Sequence, residues 1–472
     1  MKVLLVNSPY GEIYNRVKGT EGATPPLGLA YLASYLKTNH VEAQILDANA
    51  QGICFEELGP MLSGFDIIGT SLYTPSLHFS LKVLELAKKN NPSCKTVLGG
   101  PHITALPFET MESSPVVDFG VLGEGEHSFL ELIESIRGNN KFDNIDGIVY
   151  RDSGKIRINR RRKLITDLDK LPFPPYELLP LDKYIQPLHH INFSDSIPPG
   201  RFMLFITSRG CAYNCAFCAS KNIWERTVRY RSADNVLQEI DLLVNKFRIN
   251  VLDIADDNFL FNKERLNNIL NGIIRKGYRI HFNCSARVDM VDEGTLKKLK
   301  EAGCYLIRFG VESGDPLILQ RMKKNITVEQ IKQAFKLSKA NNISTSASFI
   351  IGYPGETHES FRRTMMLAKT IGPDIANFFI AIPFPGTEFY EIAKKEQLIE
   401  NFDYSVWKLL TSSPPVKTDK LSSKELRRMM KGAYLNFYFR PSYILKRIKN
   451  INNPSMIRSY FKGLSGIVRI IK

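Results

Sequence analysis

Residues 203–218 read Met-Leu-Phe-Ile-Thr-Ser-Arg-Gly-Cys-Ala-Tyr-Asn-Cys-Ala-Phe-Cys. The apolar run Met203 to Ile206 reads as a buried strand. It feeds a loop that spaces Cys211, Cys215 and Cys218 as Cys-x3-Cys-x2-Cys. Three thiolates suit neither a tetrahedral structural zinc, which takes four protein ligands, nor a disulfide, which takes two. They suit a cluster with one corner left open. Chance would put this spacing into such a chain about 0.002 times. Cys54, Cys94, Cys284 and Cys304 stand singly and read as small buried hydrophobes. An odd cysteine count with no disulfide framework and no signal peptide leads us to expect a reducing cytoplasm.

After Met203–Ile206, five more β-rich runs recur: Val251–Ala255, Ile280–Cys284, Tyr305–Gly310, Ser346–Ile351 and Ala376–Ile382. Helical patterns separate them, and six βα units in a row predict a partial (βα)6 TIM-type barrel over residues 196–400. Chemistry then belongs at the carboxyl ends of its strands. Those ends carry Asp256-Asp257-Asn258, Ser285 and Arg287, Glu312, Gly352 through Glu356, and Pro383 through Thr387.

Upstream, residues 1–140 alternate apolar runs (Lys2–Asn7, Ile67–Ser71, Thr96–Gly100, Phe119–Leu122) with helical stretches. That rhythm predicts an α/β domain, a doubly wound, Rossmann-like parallel sheet with its ligand outside the carboxyl ends of the strands. Those ends read Asn7-Ser-Pro, Ser71-Leu72-Tyr73-Thr74-Pro75, Gly99-Gly100-Pro-His102 and Gly123-Glu124-Gly125-Glu126. No Gly-x-Gly-x-x-Gly follows the first strand, which argues against a nicotinamide or flavin. Residues 141–195 are proline-punctuated and read as an extended connector.

The 472 residues carry a net charge of +15. Residues 424–472 hold twelve Lys or Arg against one acid, so the excess sits in a basic, mainly helical C-terminal region, 401–472, rather than over the chain. Nucleic acid is therefore not the expected partner. The tail reads first as a cap on the barrel and second as a contact with a membrane surface, an anionic-substrate lid and an RNA contact being the other options. No apolar run reaches a membrane span.

The cysteine loop after the first barrel strand, with Phe217 before the last cysteine, resembles the radical S-adenosylmethionine (SAM) superfamily. Thr74-Pro-Ser-Leu77 with Gly99-Gly100 resembles the cobalamin-binding domain, and Gly-Gly-Pro-His-Ile-Thr and Gly-Glu-Gly-Glu resemble its radical SAM branch. The resemblance implies three thiolates on three irons of a 4Fe-4S cluster, with the fourth iron chelating SAM and an electron cleaving it to a 5'-deoxyadenosyl radical. It places Phe217, Asp256, Asp257, Asn258, Ser285, Arg287, Glu312, Gly352 and Pro383 around SAM. It places Ser71, Leu72, Tyr73, Thr74, Pro75, Gly99, Gly100, His102, Gly123, Glu124, Gly125 and Glu126 around cobalamin.

Three departures from that pattern stand out. Ala212 replaces the usual proline after the first cysteine, the Ser-x-Leu place reads Ser71-Leu72-Tyr73, and the Asp-x-His-x-x-Gly motif that supplies a cobalt-ligating histidine is missing. The resemblance further implies an organic substrate, a one-electron donor such as flavodoxin or ferredoxin, and low-oxygen conditions. Carbon methylation is the expected reaction. A ring-forming cyclase of the anaerobic porphyrin type is the alternative, with a tRNA methylthiotransferase and a degenerate binding protein behind it.

Overall fold

A computed structural model describes residues 1–10, 24–184, 200–449 and 451, together with 457, 460, 463 and 466–468. Its first sheet has seven strands in the order β2-β1-β3-β4-β5-β6-β7. They are β1 (Lys2–Asn7), β2 (Glu42–Asp47), β3 (Ile67–Ser71), β4 (Lys95–Gly99), β5 (Phe119–Val121), β6 (Ile148–Asp152) and β7 (Lys155–Ile158). The first five run parallel. Side chains alternate across a strand, so a sheet covered on both faces needs apolar residues at every position. In β1 this holds: Leu4 and Val6 enter one core with Ile68 and Leu98, while Val3 and Leu5 enter the opposite core with Ile67 and Val97.

The sheet extends past residue 140, into the stretch read as connector. Strands β6 and β7 add to β5 as an antiparallel hairpin. Its two-residue turn is Ser153-Gly154, with φ of 49° and 82°, the left-handed pair that matches the twist of hairpin strands. The proline-punctuated remainder forms short 3-10 turns at Leu168–Lys170 and Tyr176–Leu178. It bridges the two domains: the Ser34 hydroxyl donates to the Phe173 carbonyl (2.6 Å) and the buried Tyr176 hydroxyl donates to Glu239. The expected domain boundary near residue 196 lies outside the described residues.

Strand β8 (Phe202–Phe205) opens the second domain, followed by a two-residue ribbon of β9 (Ser208–Arg209) and β10 (Arg229–Tyr230). Then come β11 (Val251–Ile254), β12 (His281–Ala286), β13 (Cys304–Glu312), β14 (Ser344–Ile351) and β15 (Ile375–Ile380). The sheet order is β15-β14-β13-β12-β11-β8, parallel throughout. It is a partial barrel whose two edge strands do not pair.

An unpaired edge needs cover. The helix Ser423–Tyr438 supplies it at β15, where Tyr434 accepts from the Phe378 amide (3.2 Å) and Tyr438 bonds both the amide and the carbonyl of Ala376 (2.9 and 2.8 Å). One turn apart on one helix face, two phenols do the work of an absent seventh strand. This part of the basic tail is thus a cap on the barrel.

Candidate functional site

The cysteine loop leaves β9 through Gly210. Its φ is +96°, and a Cβ there would run into the Thr227 carbonyl, so only glycine makes the turn. The loop is pinned at its centre. The buried Ala216 donates its amide to the Met322 carbonyl and accepts from the Phe389 amide, both at 2.9 Å, and the Cys218 amide donates to the Cys215 carbonyl at 3.1 Å. All three loop cysteines are free thiols, with Cys215 buried and Cys211 and Cys218 half-buried. Of the single cysteines, Cys94, Cys284 and Cys304 are buried, but Cys54 is exposed, at the N-terminus of the helix Phe55–Met61, where it caps rather than packs.

Burial pushes all three loop thiols up, Cys218 to about 12. At Cys215 the Lys324 ammonium and the Arg287 guanidinium pull the other way. Among the described residues, no three Cys, His, Asp or Glu side chains converge on a point that a single ion could occupy. Three thiolates that each hold a different iron would not converge on one point either, and flanking cations suit an anionic cluster. The donor set fits the 4Fe-4S group.

Around the loop, the barrel mouth is densely cross-linked. Asp256, buried, accepts from the Thr207 amide (2.7 Å), the Thr207 hydroxyl (2.5 Å) and the Ser208 hydroxyl (2.6 Å), tying the end of β11 to the stretch between β8 and the cysteine loop. Asn258 is also buried and turned inward, donating to the Met290 sulfur (2.9 Å). Asp257 stays exposed, accepts from Ser220 (2.6 Å), and faces the cavity described below.

Ser285 lies within β12 rather than after it, and its hydroxyl accepts from Arg308 (3.2 Å), which also pairs with Asp253 (2.7 Å). Arg287 is held by Asp289 through two bonds (3.0 and 2.9 Å) and stacks over the Tyr213 ring of the cysteine loop at 3.5 Å. Phe217 packs with Ala216 and Tyr353 below the loop.

Glu312 is the last residue of β13, at a register shift against β14 and with φ of 65°. A non-glycine residue in that region stores backbone strain, a feature that clusters at working sites. Its carboxylate accepts from the buried Lys324 (2.7 Å). Lys324 carries no sequence signal beyond its charge and was not anticipated. Gly352, at φ +88°, donates its amide to Glu356, whose second oxygen is buried without a partner. Burial pushes the Glu356 carboxyl up to about 8. Pro383 is buried, and the loop it opens takes a bond from Asn222 to the Pro385 carbonyl (2.7 Å).

A cavity of ≈ 470 Å³ lies between this mouth and the strand ends of the first domain. Ser71, Tyr73, Gly99, Gly100 and Gly123 through Glu126 line it from one side, and Leu204, Ile206, Arg209, Gly210 and Asp257 from the other. Gly28, near the start of the helix Leu27–Thr38, and Gly123 have open space where a Cβ would stand, so the wall presents bare backbone. A floor of that kind suits a large ligand that must approach closely, as cobalamin would. Gly100 has another role: at φ +104° a Cβ would strike the Leu72 backbone, so this glycine lets the 71–73 loop close on the sheet.

Four residues expected at cobalamin do not line the cavity. Leu72 is buried in the core, and Thr74 and His102 are buried against each other (3.2 Å), with Pro75 on the same turn. Burial lowers His102 to about 4, and the Tyr404 ring packs edge-on against it. Glu124 and Glu126 reach the cavity wall with their carboxylates already paired. Arg209 bonds Glu124 and Glu126 (2.7 Å each), and Arg229 bonds Glu124 (2.6 Å). Burial would push Glu126 up, yet the adjacent Arg209 holds it below its ordinary value. The first domain thereby grips the residue two positions before Cys211. The Pro25–Gly28 stretch and Trp224 also line the cavity and were not anticipated. The one signal for the former is the pair Pro25-Pro26 just ahead of a glycine.

The chain matches the B12 binding domain over residues 17–133 and the Radical SAM superfamily over residues 205–368. It is 36% identical over 450 residues, 95% of each chain, to an uncharacterized methyltransferase of Pyrococcus horikoshii. It is 28% identical to the anaerobic magnesium-protoporphyrin IX monomethyl ester cyclase of Rubrivivax gelatinosus, covering 94% of this chain and 78% of that one. The cobalamin-dependent SAM radical enzyme OxsB, solved with aqua-cobalamin and SAM, shares the fold at a TM-score of 0.75 and 19% identity over 98% of this chain and 71% of that one. With both domains matched in order and a full-length relative above a third identical, the chain belongs to the cobalamin-binding radical SAM superfamily, whose members work with a 4Fe-4S cluster, SAM and cobalamin.

Proposed function

We propose that the protein transfers a methyl group from SAM to an unactivated carbon of an organic substrate. One observation supports this reading: a single cavity is lined by the glycine-rich strand ends of the first domain and by Arg209, Gly210 and Asp257 of the barrel mouth beside Cys211, as two cofactors working on one substrate would need. When bound, the cluster would supply the electron that cleaves SAM, and cobalamin would carry the methyl group. Cys211, Cys215 and Cys218 are the cluster ligands in this reading. Phe217 backs the loop, and Arg287, Lys324 and Glu312 meet the charged end of SAM. Asp257 accepts from its amino group, Asp256, Asn258 and Ser285 set the strand ends that surround it, and Gly352 and Pro383 border the adenine.

Anaerobically reconstituted protein with SAM, reductant and hydroxocobalamin is expected to form 5'-deoxyadenosine and S-adenosylhomocysteine together. Cys215→Ala should abolish the first; an undiminished yield in that variant would sink the radical assignment. The similarity to the cyclase over most of the chain favours a second reading, a ring-forming reaction, for which 5'-deoxyadenosine would appear without S-adenosylhomocysteine. A flavodoxin or ferredoxin is the proposed electron donor. The exposed Ile444, Leu445 and Ile448, on one face of the helix Pro441–Lys449 in the basic tail, support contact with an anionic membrane surface. Failure to co-sediment with anionic vesicles would remove that partner.

A further inference from the structure

The loop after β1 offers cobalt no histidine, since residues 8–15 read Ser-Pro-Tyr-Gly-Glu-Ile-Tyr-Asn. His102, a histidine at a neighbouring strand end, is 2% exposed and faces Thr74 and Tyr404 instead of the cavity. The polar side chains of the strand-end floor narrow what is left. Asn7 donates to Asp47 (2.8 Å), and Thr70, one residue inside the end of β3, is buried with its hydroxyl unpartnered. Glu124 and Glu126 are neutralised by Arg209 and Arg229. Ser76 is spent on Tyr73 itself, accepting from its amide (3.0 Å) and donating to its carbonyl (2.9 Å).

Tyr10, on the loop after β1, lines the cavity too but has a partner of its own, and among the described residues at the end of β3 Ser71 and Tyr73 remain. Ser71 is short and half-buried at the very end of β3. Tyr73 is 70% exposed, lines the cavity, and stands on backbone locked by Ser76 and followed by Pro75. That turn holds the Tyr73 phenol in the cavity, where a ligand bound there would cover it.

On the cobalamin reading above, we propose that the Tyr73 phenol is the protein group at the lower face of the cobalt, placing an oxygen where related domains place an imidazole. The axial group is the protein's main lever on a cofactor metal, so Tyr73 would set the coordination number and potential of the cobalt.

The test is the electron paramagnetic resonance spectrum of wild-type protein loaded with hydroxocobalamin and reduced to the Co(II) state, compared with Tyr73→His, Tyr73→Phe and Ser71→Ala. Wild type should show no nitrogen splitting. Tyr73→His should acquire a three-line splitting from one imidazole nitrogen, Tyr73→Phe should shift toward the four-coordinate spectrum, and Ser71→Ala should keep the wild-type one. Nitrogen splitting already present in wild type would put the cofactor's own base at the lower face and overturn the proposal. So would a cobalamin-loaded Tyr73→His protein without splitting, or a Tyr73→Phe spectrum identical to wild type. If Tyr73→His does not load, the Tyr73→Phe comparison decides alone. Wild-type protein that takes up no cobalamin would instead refute the functional reading on which the placement rests.

Discussion

At the barrel mouth nearly every charged side chain is already engaged by another, whereas among the described residues the opposite wall offers mainly backbone, glycine and the exposed phenol of Tyr73. Asp256, Arg308, Arg287 and Lys324 are each fixed by two or more partners or by a buried counter-charge. Among the described residues of the first domain that line the cavity, the charged side chains are the paired Glu124 and Glu126, and those face the barrel's own arginines. The difference teaches what each wall is built to do. Fixed dipoles and charges stabilise a charged ligand without reorganising. A surface of bare backbone recognises by shape and close approach, and needs little charge of its own.

Breaking the mouth should therefore cost more than altering the floor. Lys324 is buried and paired; burial alone would push its ammonium down, but Glu312 holds it above its ordinary value. Lys324→Met leaves Glu312 buried and unpaired, for an expected loss of about 3–5 kcal/mol. Adding Glu312→Gln should recover most of that, because an uncharged pair pays no such penalty. Urea unfolding of the cluster-free proteins measures both, and a double variant as unstable as the single one would show that the pair is not the source of the cost.

On the floor, two glycines separate stability from ligand access. Gly100→Ala forces a Cβ onto the Leu72 backbone at φ +104° and should cost about 2–3 kcal/mol. Gly123→Ala, at φ +73° with open space beyond it, should cost only about 1 kcal/mol. Its methyl would nevertheless stand where a ligand approaches, so cobalamin uptake should fall more than stability does. If the two variants lose stability and uptake in the same proportion, the floor is not a shape-recognising wall.

The same contrast explains what could be read from the chain. Strands buried on both faces announce themselves as apolar runs, which is why β1, β3, β4 and the six barrel strands were visible. The edge strand β2, Glu42-Ala-Gln-Ile-Leu-Asp, is buried only over its last two residues, Leu46 and Asp47, and shows no such run. The β6–β7 hairpin carries a turn signal in Ser153-Gly154, but its outer strand, Lys155-Ile-Arg-Ile158, is mostly exposed. The cysteine loop was legible because its chemistry sits in local spacing. Lys324 and Arg209 were not, since their meaning lies in partners 12 and 83–85 residues away. Asp256 shows the converse: an acid at a strand end reads as a ligand donor until its three internal bonds are seen.

Glu356 tests the contrast at its edge, as a buried carboxyl at the mouth whose second oxygen lacks a partner. Its folded value of about 8 lies above its ordinary 4.5 because burial disfavours the charged form. Below about pH 4.5 both folded and unfolded chains hold the proton, and there is no penalty. Between there and about pH 8 the unfolded chain has released the proton while the folded chain keeps it, so stability falls as pH rises. Above that range the loss levels off. Glu356→Gln removes the titration while keeping an oxygen for the Gly352 amide. The variant should match wild type near pH 4.5 and exceed it by roughly 4–5 kcal/mol at pH 8.5, read as a stability gap that widens with pH in parallel unfolding series. A gap that stays constant would mean that Glu356 is ionised in the fold and has found a counter-charge, making the mouth as fully paired there as it is at Glu312.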